Sequence, residues 1–144
     1  MAFRFSLEHV LSYRAQLERQ AMVELAKVED ERRREKERAA ALQANLLGQE
    51  QYLTGLDVQQ KAERWVTENY MKALRTDIAI SLQRVNNWTA AVDAARKELI
   101  RRAKDKKTLE KLKSKQADHY VQAERHREQK EYDETASLHF KSPY

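Results

Sequence analysis

Residues Leu53 to Trp65 read LTGLDVQQKAERW, and the architecture turns on them. Thr54-Gly55 is the strongest break in the chain, because glycine takes the left-handed conformation that ends helices without steric cost. Gly48 is the weaker break, since periodic leucines continue past it. The reversal is therefore placed within residues 54 to 66. A first helix is expected over about 6–54, a turn over about 55–65 and a second helix over about 66–139, with a short disordered C-terminus.

On the N-terminal side a seven-residue spacing holds. One track is Leu7, Arg14, Ala21, Val28, Glu35, Leu42, Gln49, Leu56, and the other is Leu11, Glu18, Leu25, Arg32, Ala39, Leu46, Leu53. Ten of these fifteen positions are apolar, which is a coiled-coil seam. The exceptions cluster at 14/18, 32/35 and 49, so the helix is expected to be soft around Arg32 to Glu35. Ser6 is placed to cap the helix, with Phe5 and Val10 at the spacing of a hydrophobic staple.

Beyond the break a second pair of tracks runs Ile78, Val85, Val92, Leu99, Lys106, Lys113, Tyr120 and Ser81, Trp88, Ala95, Arg102, Leu109, Gln116, Ala123. Leu82 supports this stripe, which past Leu99 is expected to drift toward Ala103, Leu109 and Leu112. Past Tyr120 the sequence is almost wholly polar. The fold class that follows is all-α: a long antiparallel two-helix coiled coil, a helical hairpin with a protruding C-terminal helix. Folding about residue 60 sets position 6 across from about 114 and leaves residues from roughly 117 onward overhanging. Two unbroken helices pairing between chains would use the same seams and remain the alternative.

Composition excludes several function classes. In 144 residues there are two glycines, one proline and no cysteine, while Ala, Glu, Leu, Lys and Arg make up a little over half the chain. Phosphate-cradling loops need clustered glycines, and Gly48 and Gly55 stand apart. Without cysteine there is no thiol nucleophile and no zinc-thiolate site. His9, His119, His126 and His139 show no helical zinc-pair spacing, and the carboxylates are interleaved with Lys and Arg, as in KVEDERRREKER. No catalytic, cofactor or metal residue is assigned, and no enzyme activity is expected. The N-terminus lacks the long apolar run of a signal peptide, so a soluble intracellular protein without membrane insertion is expected.

The net charge of +5 is unevenly spread. Arg96 to Lys115 holds ten basic and three acidic residues, which reads as a packed helix with a basic outer face, as a surface for an acidic partner, or as a nucleic-acid helix. No leucine zipper follows it, and a nucleic-acid partner is not expected. Arg101, Arg102, Lys106 and Lys107 mark the basic face. Tyr52, Trp65, Tyr70 and Trp88 gather on either side of the turn, the first three as candidate partner-binding residues, while Trp88 falls on the seam. Phe3 and Phe5 are placed to cover the seam where the tail emerges.

The opening FRFSLEHVLSYR and the closing EQKEYDETA resemble the termini of the FliJ family of bacterial flagellar export proteins, as do the size, the turn near 60 and the Arg64-Trp65 pair. The resemblance implies an antiparallel two-helix coiled coil similar to the stalk (gamma) subunit of rotary ATP synthases. It implies a non-enzymatic component of the flagellar type III export apparatus that serves motility, cytoplasmic and peripheral at the inner face of the membrane. Its implied partners are the hexameric export ATPase, whose activity it stimulates, the transmembrane export gate, and the export chaperones. Residues expected to meet the ATPase ring are Phe5, Leu7, Leu11, Arg14, Arg127, Glu128, Gln129, Lys130, Asp133 and Glu134; Tyr52, Trp65, Tyr70 and Leu74 are expected to face the gate. The stalk of a virulence type III system and a generic coiled-coil scaffold are the competing readings.

Overall fold

A computed structural model of the chain describes residues 2–140. Two α-helices, α1 (Glu8–Thr54) and α2 (Lys61–His139), pack against each other as an antiparallel hairpin, and the described residues contain no strand. Packing divides the chain into two compact units. Gln20–Ile100 is the hairpin with its turn; the other unit joins the chain up to residue 19 to residues from 101 onward.

Both sequence tracks of α1 lie against its partner, for none of the fifteen positions is exposed. In the hairpin unit, Val92 is fully buried and clusters with Val28 and Ala95, while Leu25, Trp88 and Ala91 pack around them. The α2 tracks extend one heptad back from Ile78 and Ser81, to Met71 and Leu74, and then to Thr67; all three are buried. Leu82 is exposed, so it supports no seam. Of the positions named for the drift past Leu99, Leu109 is buried but lies on the strict heptad as well, Ala103 is half-buried, and Leu112 is exposed. A strict heptad keeps a seam in register over a long helix, and the track positions of α2 stay covered as far as Tyr120.

Several polar seam positions are matched across the helices. Glu35 is buried; Ser81 Oγ donates to its Oε1 at 2.8 Å, and Arg38 Nη1 donates to its Oε2 at 3.0 Å. Lys106 Nζ lies 3.3 Å from Glu18 Oε1, and Arg14 donates to the Asp105 carbonyl oxygen at 2.8 Å. Among the described residues no buried side-chain polar atom lacks a partner. Within the stretch Arg32 to Glu35, expected to be soft, the buried Glu35 carboxylate is therefore partnered on both oxygens. The outer side of the stretch holds ion pairs of Asp30 with Arg33 and Arg34, and the Arg33 guanidinium draws the Asp30 carboxyl below its ordinary pKa.

The helix ends differ from expectation. The first helix starts at Glu8 rather than near residue 6, its turn closed by Glu8 N–H on the Phe5 carbonyl and Leu11 N–H on the Leu7 carbonyl. Gly55 does not take a positive φ. The helix instead ends by tightening: Gly55 N–H bonds the Tyr52 carbonyl, Leu56 N–H the Leu53 carbonyl, and Thr54 Oγ1 the Gln51 carbonyl. The second helix begins at Lys61, not near 66, because residues 57–60 build its cap. The Gln60 side-chain oxygen accepts from Asp57 N–H at 2.9 Å, and the Gln60 carbonyl accepts the first helical bond, from Arg64 N–H at 3.0 Å. The expected disordered C-terminus falls on residues 141–144, outside the described residues.

A methyl group at Gly55 would meet only backbone oxygens at ordinary distance, the nearest being Tyr52 O at 3.5 Å. Gly55→Ala should therefore raise stability, by about 0.4–1 kcal/mol through the unfolded state. A thermal melt checks this, and a lowered midpoint would mean that the turn needs glycine.

Candidate functional site

The residues expected to act on partners fall into three places. Phe5, Leu7, Leu11 and Arg14 face α2: Phe5 is buried and the other three are half-buried. The non-helical start of the chain lies along α2, where the Phe3 ring meets that of Tyr120 with centroids 5.8 Å apart and planes at 48°. Glu8 pairs with Lys113 at 2.8 Å. These contacts carry the pairing as far as Tyr120, so the overhang begins there rather than near 117.

Arg127, Glu128, Gln129, Lys130, Asp133 and Glu134 lie beyond that point. From Val121 to Phe140 every residue except the half-buried Glu124 is exposed, including Tyr132, Leu138 and Phe140. Within this tail the polar contacts are local: Arg127 with Glu124 at 3.4 Å, and Gln129 donating to Asp133 at 3.2 Å. The N-terminal and tail residues are thus not one surface. The first set is occupied holding the hairpin closed, and the second is a lone, solvated helix.

The turn end carries the aromatic group. Tyr52, Trp65 and Tyr70 are exposed, with Val58 and Val66 exposed beside them. Tyr52 Oη donates to Glu63 Oε2 at 3.2 Å, and Tyr70 Oη accepts from Asn45 Nδ2 at 2.8 Å. These bonds orient the two phenols on the flank of the seam. The Glu63 carboxylate stabilises the neutral phenol by this bond and repels the phenolate, which raises the Tyr52 pKa. Ultraviolet titration should find Tyr52 ionising above the ordinary tyrosine range, and Glu63→Gln should bring it back toward that range.

Leu74 does not belong with these aromatics. It is 3% exposed on the seam track of Thr67 and Ser81 and offers no surface to a partner. Extending the heptads back by seven from Ile78 and Ser81 would have found this. The four residues taken as the basic face also separate: Arg102 and Lys106 lie on seam tracks and are half-buried, whereas Arg101 and Lys107 are exposed. A contiguous run of charges spreads around a helix at 100° per residue, so it cannot form one face.

Among the described residues no helix is long and apolar enough to cross a membrane. Comparison with known proteins adds the family. A family model described as "Flagellar FliJ protein" matches residues 3–143. No curated protein and no solved structure matches the chain significantly. The match takes in both patterned termini, both helices and the turn, and the chain belongs to the flagellar FliJ protein family, a component of flagellar type III protein export.

Proposed function

We propose that the chain is the non-enzymatic stalk of the export ATPase: it binds the hexameric ring, stimulates ATP hydrolysis, and links the ring to the export gate and the chaperones. It acts in the cytoplasm, at the inner face of the membrane. The observation that carries the reading is the family match across residues 3–143, with the unpaired helical tail beyond Tyr120 as the element that enters the ring. That tail has charge on nearly all faces and no partner within the hairpin, so it can exchange contacts with successive subunits while staying helical. A ligand shifts a conformational equilibrium only by its differential affinity for the states, and an asymmetric helix in a ring biases the subunits it touches most favourably. Nucleotide chemistry then belongs to the ring.

The aromatic group of Tyr52, Trp65 and Tyr70 is left to face the export gate. Trp65 is 68% exposed, and a large exposed aromatic beside exposed valines is the composition of an interface anchor. Trp65→Ala should weaken the export-gate interaction, measured by binding to the gate's cytoplasmic domain, while ring stimulation and thermal stability stay unchanged. A fall in stability would instead make Trp65 a packing residue.

A further inference from the structure

Within residues 101–115, the charges on α2 are sorted by direction. Asp105 is half-buried and its carbonyl takes Arg14; Glu110 sits beside the seam residue Lys106 at 3.7 Å. Lys104, Lys107, Lys111 and Lys115 are all exposed, and none of them has an ion pair among the described residues. Their spacings of three and four put them on one outward face, which Arg101 shares. Like charges at these spacings repel each other and weaken a helix. The α1 carboxylates that reach this part of α2, Glu8 and Glu18, are engaged with Lys113 and Lys106.

We propose that this lysine stripe is a docking surface for an acidic α-helix of a partner protein, laid lengthwise along α2. The charges recur every 4.5–6 Å or so along the axis, which is the spacing of glutamates at i, i+3 and i+4 on another helix. The grooves lined by Phe5 and Lys113 and by Leu17 and Arg102 do not take in the four lysines, whose exposed face makes a ridge for the occupant to lie along. Two other polyanions fit worse. A helix on a lipid surface needs a free apolar face, and here the apolar track is turned inward, with Leu109 buried. Single-stranded nucleic acid needs aromatic platforms, and residues 101–115 contain none. The surface is independent of what the tail binds.

The test uses the full chain and a labelled helical peptide with glutamates spaced three and four apart, against a peptide of equal composition whose glutamates are spread around the helix. The stripe predicts binding at least about ten-fold tighter to the spaced peptide, falling with salt, and lost by about ten-fold in K104E/K107E/K111E. Because those lysines avoid the seam, circular dichroism and the thermal midpoint of the variant should not fall. Equal binding by the variant, or equal binding of the two peptides, overturns the inference. So does tighter binding of phosphatidylglycerol vesicles or of single-stranded oligothymidine. Dimerisation in sedimentation that the triple variant abolishes would give the stripe to a second copy of the chain and also overturn it.

Discussion

Leu74→Ala is expected to destabilise the hairpin by about 3 kcal/mol, within the range for truncating a buried leucine. Leu74 is 3% exposed, and its neighbours on the seam, Met71 and Ile78, are buried as well. A two-helix structure has one seam and no second layer to close over the cavity. The loss is therefore a large fraction of a total stability that for natural domains is about 5–15 kcal/mol. Chemical denaturation should show a lower midpoint with an unchanged slope. A midpoint that does not move would show that Leu74 is not held in the seam, and would return it to the exposed group about the turn.

The second large effect is expected at the Glu35–Ser81 layer. Ser81→Ala alone leaves a buried carboxylate oxygen without its hydroxyl and should cost about 1.5–3 kcal/mol. Glu35→Leu with Ser81→Ala removes both polar groups together and should be near neutral, or stabilising by about 1–4 kcal/mol, since apolar packing often outperforms a buried polar pair. The non-additivity is the signature, because contacting residues couple while distant ones do not. What the double variant should lose is uniqueness: a polar residue on a seam fixes register and partner number, so an all-apolar layer should increase self-association in sedimentation. A strictly additive cycle would contradict a direct Glu35–Ser81 interaction.

Most of the hairpin was legible in the sequence because its packing is periodic. Leu7 to Leu56 and Ile78 to Tyr120 keep the spacing that the seam demands, and burial follows it even through Glu35 and Lys106. Polar seam residues read as weak points because a single track does not show what lies across from it. Glu35 meets Ser81, and Glu18 meets Lys106, only once the hairpin is closed. Leu82 and Leu112 were misread for the opposite reason, since apolar character was followed off the heptad. The turn was located by Thr54-Gly55, but the start of α2 depends on Gln60 folding back onto Asp57, a local bond that no composition rule announces. The candidate site was legible only as lists of chemistry-bearing residues. Which of them are free, as Trp65 is, and which are consumed by the fold, as Phe5, Arg14 and Leu74 are, depends on burial.

The stalk reading is tested most directly by ATP hydrolysis of the cognate hexameric export ATPase, titrated with the full chain and with a chain ending at Gln122. That truncation keeps the Phe3–Tyr120 contact and the Lys113–Glu8 and Lys106–Glu18 ion pairs to α1, so the hairpin should remain closed by circular dichroism. The account predicts saturable stimulation by the full chain and none by the truncated one. Equal stimulation by both would contradict the tail as the ring-binding element, and no binding or stimulation by either, under conditions where the ring assembles, would contradict the stalk itself.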